Sequence, residues 1–401
     1  GADLAFHRAA SCVAIIISII ILYLEFRKVG GNNPLSFNLS LIWWAQVLVL
    51  LNPLARVDSI GCMFFLLAIS TPHLTNFSRK GFFAAAIFSV CGFFVKQYFF
   101  LSGLVLAMTS FFLIGPTFSI ILTTLMIFLL VTVLVIFSLL FPTYIENSIL
   151  IGSNYYAFSL KHLGSQLIYL AKENLFLLFF AFILVFWNMA SLIRYRSPTF
   201  KITGFRINRF KIGAGIIEHY HLFTLGLTLP FALLAQGVSV SYLCAYMIQL
   251  TIPIIFICLT KYGTKLFASA LSVCAAFNLI WAISAFPKIK WSDDQKYWQE
   301  WTQIVSNKQN IYAPQNLGVL LDDLGKPVYD AGLSHIFQYS LQNARLGNAW
   351  LILHLREYND RKIKMLENKN FDLVISRHPT GKARLSPNFL QNYRLVKTLH
   401  L

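Results

Sequence analysis

Residues 97–145 read QYFFLSGLVLAMTSFFLIGPTFSIILTTLMIFLLVTVLVIFSLLFPTYI, and no charged side chain interrupts them. A helix on a water-soluble core is apolar along one stripe and charged on the opposite face, so a run apolar all round is the pattern of a lipid-embedded segment. The run is also too long for one crossing. About 20 residues traverse a hydrocarbon core of ~30 Å, and Gly115-Pro116 divides this one, because proline has no amide hydrogen to continue a helix. The stretch therefore predicts two spans with a break at Gly115-Pro116.

Uncharged stretches of comparable scale recur outward from it, at 9–24, 34–55, 59–78, 81–95, 174–193, 222–260 and 266–287. The 222–260 stretch breaks around Gln236-Gly237, where Gly, Ser and Gln cluster. The pattern predicts a polytopic α-helical membrane protein of about ten spans over 1–287. Composition agrees: of 401 residues 57% are hydrophobic and only 12% charged, against about 25% charged in a soluble domain. A soluble one- or two-domain protein is excluded.

Up to Pro287 there are 17 Lys+Arg against 6 Asp+Glu. With ten alternating spans, 12 of those basic residues fall on one side (among them Arg27, Lys28, Arg79, Lys80 and the six between Arg194 and Lys211) and 5 on the other. By the positive-inside rule the first side is cytoplasmic. The chain is thus expected in the inner (plasma) membrane as a multi-pass protein, among membrane lipids. No basic stripe on a soluble face invites a nucleic acid. All six cysteines lie in apolar runs without CxxC spacing, so they read as small buried hydrophobes rather than disulfide or zinc partners.

From Lys288 the composition changes. Segments 310–313, 327–329, 371–376 and 395–399 read as strands, and 317–324, 333–341, 349–357 and 360–367 as helices. This alternation predicts a small α/β domain at 288–401 with a largely parallel sheet, on the extracytoplasmic side. It contains no phosphate-binding glycine loop and no catalytic triad.

Ionisable and polar groups at membrane depth are functional candidates because they cost about 2.5–3.5 kcal/mol each to insert. Arg56 and Asp58 open a span just after Asn52-Pro53; Asp58 reads either as a helix N-cap or as an acid at the mouth of an outer cavity. Lys96-Gln97 interrupts an apolar run, where a lysine either snorkels to headgroups or holds an anionic phosphate. Asn154 lies with Tyr155-Tyr156 in a long outer segment, and Tyr242 follows the small residues 237–241, either as a ligand donor or in a plain turn. Glu218-His219-Tyr220-His221 suggests a metal, but histidines two apart do not share a helix face, so the group reads as a loop or helix entry and no metal site is assigned.

With these residues in place, the chain resembles the bacterial glycosyltransferases of the GT-C fold, related to protein mannosyltransferases and aminoarabinose transferases. The resemblance rests on Phe6-His7-Arg8-Ala9-Ala10-Ser11, Ala55-Arg56-Val57-Asp58, Phe94-Val95-Lys96-Gln97, Gly152-Ser153-Asn154 and Gln236-Gly237-Val238-Ser239-Val240-Ser241-Tyr242, with Leu324-Gly325-Lys326-Pro327-Val328-Tyr329-Asp330 and Phe371-Asp372-Leu373-Val374-Ile375-Ser376 in the tail. Ser241 stands where the family's Gly-x-x-x-Asn-Tyr element has Asn. The resemblance implies an enzyme that transfers a sugar from a polyprenyl-phosphate carrier to an acceptor at the outer face. Lys96, with Arg56, would contact the carrier phosphate, Gln97 would belong to the same substrate-binding set, Asp58 would be the second acidic residue, and Asn154 and Tyr242 would lie near the sugar or the carrier headgroup. It requires no cofactor and leaves room for a divalent metal. It also implies a first span and outer loop carrying the main catalytic aspartate, so the sequence reads as N-terminally truncated. A transporter or flippase of lipid-linked sugars, and a non-catalytic membrane scaffold, are the alternative readings.

Overall fold

A computed structural model describes residues 2–29, 57–140, 291–313, 324–326, 328–330 and 367–375, with short or single positions at 33–34, 36–37, 40–41, 164, 220–221, 223–224, 226–228, 280, 357, 360–361 and 363–365. The chain divides into two compact units, one holding 2–140 with 158–287, the other 141–157 with 288–401. Each is described by itself.

The first unit is helical. Helix α1 runs Ala2–Val29 and ends on Arg27 and Lys28, cations suited to the negative end of the helix dipole. Helix α2 (Val57–Leu74) and helix α3 (Arg79–Val95) form a hairpin. Asn76 and Phe77 turn it at positive φ, 53° and 56°, and Ser78 then caps α3 by accepting the Gly81 N–H at 3.1 Å. A 3₁₀ turn, Gln97–Phe100, leads into helix α4 (Leu101–Leu113), and Gly115 at φ 146° joins that to helix α5 (Pro116–Leu140). The core between α3, α4 and α5 is Phe82, Ala85, Ala86, Val90, Leu106, Phe118, Leu122 and Met126. Phe118 of α5 packs into this core edge-on to Phe82 and Phe83 of α3, at 6.0 and 5.4 Å.

The expectation of about ten GT-C-like spans is corrected by these helices. Among the described residues two are long and apolar enough to cross a membrane, Ala9–Val29 with 21 residues and Pro116–Leu140 with 25. Ser59–Leu74 and Gln97–Leu113 are shorter apolar helices. The physical reason is turn chemistry inside apolar sequence. Stretches 59–78 and 81–95 each read as a span by hydropathy, yet Thr75–Ser78 are spent on the turn, and the 17 residues of α3 rise only about 25 Å. The break at Gly115-Pro116 falls where the sequence places it. The stretches at 34–55, 174–193, 222–260 and 266–287 lie wholly or mainly outside the described residues.

The second unit holds helix α6 (Trp291–Ser306) and three short parallel strands: β1 (Ile311–Ala313), β2 (Val328–Asp330) and β3 (Leu373–Val374). Their order is β2-β1-β3, with Ile311 opposite both Val328 and Leu373. Each lies on a segment that reads as a strand; 395–399 lies outside the described residues. Val305 and Ile311 are buried, with Trp301, Leu373 and Ile375 packed around them, and Tyr312 tilts against Phe371 at 5.3 Å.

Candidate functional site

Two polar places stand at opposite ends of the α2–α3 hairpin. The first is the break after α3. Lys96 ends that helix with extended backbone (φ −157°, ψ 134°), and its N–H still donates to the Gly92 carbonyl at 3.0 Å. Gln97 opens the 3₁₀ turn, and both side chains are half-buried. The Lys96 ammonium lies 5.9 Å from the centre of the Tyr98 ring, within cation–π range.

Phe99 locks this turn. Its ring is fully buried and seats on Gly61 of α2, where a Cβ would fall inside the ring, while its Cβ lies 3.3 Å from where one on Gly92 would stand. Ser102 ties the turn to α3 by donating to Ser89 Oγ at 2.8 Å. Gly61 is one helical turn from the start of α2, so the break at Lys96 and the beginning of α2 share an end of the hairpin. Asp58 belongs to that first turn of α2, but its side chain lies outside the described residues, as do Arg56, Asn154 and Tyr242. Of the six candidates, then, Lys96 and Gln97 stand side by side.

The second place is one the sequence does not announce. Glu25 of α1 is fully buried, and two imidazoles converge on its Oε2: His73 Nδ1 of α2 at 2.5 Å and His221 Nε2 at 3.2 Å. The three ligand-type atoms all lie within 4.8 Å of one another. Glu25 Oε1 has no hydrogen-bond partner among the described residues. Tyr220 walls the group, stacked on His73 at 5.8 Å and donating its hydroxyl to the Ile69 carbonyl at 2.7 Å. Phe77 closes another side, edge-on to His73 and Tyr220 at 5.8 and 5.2 Å. Lys28 holds the turn after His73, donating to its carbonyl and, at 2.7 Å, to Asn76 Oδ1.

Residues 220 and 221 are helical here, and only the second histidine of Glu218-His219-Tyr220-His221 enters the described cluster. The signal that could have found it is coincidence of side: Glu25 and His221 both lie beside cytoplasmic-type basic segments, and a glutamate inside an otherwise apolar helix needs a partner. His73 carries a signal of its own, an ionisable group inside an apolar run. A carboxylate and two imidazoles in a dry pocket can share protons or bind a cation. Comparison of the chain with family models, curated proteins and solved structures gives no match.

Proposed function

We propose that this protein is a membrane glycosyltransferase that takes its sugar from a polyprenyl-phosphate carrier and acts at the outer membrane face, with Lys96 holding the carrier phosphate. The observation that carries the reading is the Lys96 break: a half-buried ammonium at a helix end, in apolar surroundings, beside the half-buried amide of Gln97. An ammonium is a compact point charge suited to a phosphate oxygen, and a departing lipid phosphate needs cationic support as charge develops. The apolar helices around the break suit an isoprenoid chain. Two of the described helices are long and apolar enough to cross a membrane.

Orientation follows from charge. Arg27 and Lys28 end α1, Arg79 and Lys80 begin α3, and the Lys28–Asn76 hydrogen bond brings these groups to one end of the hairpin. Lys96 ends α3 at the other. The positive-inside rule makes the first end cytoplasmic and puts Lys96 outside. On this reading Asp58, opening α2 at the same end, acts on the acceptor side, while Arg56, Asn154 and Tyr242 complete the sugar and carrier contacts.

The test is binding of a short-chain polyprenyl phosphate to the full chain in detergent micelles. Lys96→Ala is expected to weaken binding at least tenfold, and Lys96→Arg, which keeps the charge, to recover part of it. Equal affinity of wild type and Lys96→Ala overturns the phosphate role.

A further inference from the structure

We propose that Glu25, His73 and His221 form a binding site for a divalent first-row metal, Zn²⁺ foremost, which clamps α1, α2 and the helical residues Tyr220 and His221 at the end of the bundle opposite Lys96. Three independent features converge. The donor set is two imidazole nitrogens and one carboxylate oxygen, which suits zinc and its neighbours and disfavours magnesium and calcium, whose sites are built from oxygen. The three donors come from segments far apart in the chain yet lie within 4.8 Å of one another. And Glu25, wholly buried, leaves Oε1 with no hydrogen-bond partner among the described residues.

Two of the three ligand separations lie near those of a zinc site, and the third, between the two imidazoles, is at most 4.8 Å and would close on binding. Zinc bonds of ~2.05 Å in a tetrahedron set ligand atoms ~3.3 Å apart. His221 Nε2 and Glu25 Oε2 already stand at 3.2 Å, and His73 Nδ1 at 2.5 Å would open by ~0.8 Å. Hydrogen bonding alone leaves the carboxylate half used, with two imidazoles crowded on one oxygen. A metal takes all three groups in their deprotonated forms and gives the buried negative charge a cation. Glu25 Oε1 or a water is then available for the fourth position. The stacked Tyr220 and edge-on Phe77 fix the His73 plane and keep the pocket dry. The surrounding shell restrains ligand orientation as the partners of metal-bound histidines do.

This inference stands apart from the sugar-transfer reading, because none of the three residues touches the Lys96 turn. The test uses the full chain, free of affinity tags, purified in detergent and stripped with a chelator. Titrated Co²⁺ is expected to produce the visible d–d absorption of a four- or five-coordinate site, saturating at one equivalent and bleaching when Zn²⁺ is added. His221→Ala and Glu25→Gln are each expected to weaken Co²⁺ binding by more than the 10–100-fold that outer partners of a metal site cost, while His219→Ala binds as wild type. Should His221→Ala fail to fold, Glu25→Gln, which keeps the side-chain volume, and the wild-type stoichiometry still decide the matter. No saturable Co²⁺ or Zn²⁺ uptake by the wild-type chain overturns the proposal, and so does unchanged affinity in Glu25→Gln.

Discussion

Asp372 illustrates how a single side chain holds a small sheet together. Its Oδ2 accepts the backbone N–H groups of both Gln309 and Asn310 at 3.0 Å, one residue before β3 and immediately before β1. Its own N–H returns to the Asn310 carbonyl at 2.8 Å. These donors, with Lys308 and Lys326 nearby, hold the carboxyl below its ordinary value. A carboxylate whose folded pKa is depressed stabilises above its unfolded pKa, and that contribution disappears as pH falls through the folded value. Amide protection at 309–310, measured by hydrogen exchange of the whole protein and corrected for intrinsic rate, is therefore expected to be high at neutral pH and to drop below about pH 4. In Asp372→Ala it should be low at both, with no pH step. Protection that ignores pH in the wild type would remove the carboxylate from this account.

At the scale of elements, the hairpin of α2 and α3 positions both polar places, and Gly61 is its most exacting position. A methyl there must displace the Phe99 ring, which is buried and cannot swing into solvent. Overpacking of this kind typically costs about 1–3 kcal/mol. Gly61→Ala should lower the melting temperature in detergent and also weaken polyprenyl-phosphate binding, because Phe99 lies three residues from Lys96. A variant that melts early but binds normally would uncouple the turn from the ligand. The same hairpin explains what the sequence makes legible. Lys96 stands out because a charge breaks an apolar run, and the Gly115-Pro116 break and the three strands stand out through proline, glycine and β-branched residues. The turn at 75–78 does not, because Thr75, Asn76 and Phe77 sit in a run that hydropathy averages as one span. The Glu25 cluster is hidden for another reason: its members are separated by 48 and 196 residues, and no spacing rule links such distances.

For the molecule as a whole, α5 is where the long apolar sequence and the helix it forms agree in length. Pro116–Leu140 has no charged side chain, and of its residues only Phe118, Ser119, Leu122 and Met126 are buried. Phe128 and Leu139 are 66% and 77% exposed. So much bare apolar surface on a helix about 37 Å long has a natural solvent in lipid, and in water would be an aggregation surface. Phe128 is near the middle of the helix, where an arginine costs about 2.5–3.5 kcal/mol to insert. Phe128→Arg should therefore shift α5 out of the membrane by roughly a hundredfold in the insertion equilibrium, read from acceptor tags placed on its flanks. The same substitution at an end, Leu140→Arg, should insert normally, since a terminal arginine reaches the headgroups. If both variants insert alike, α5 is packed against protein rather than lipid, and its exposed face marks a partner instead of a bilayer.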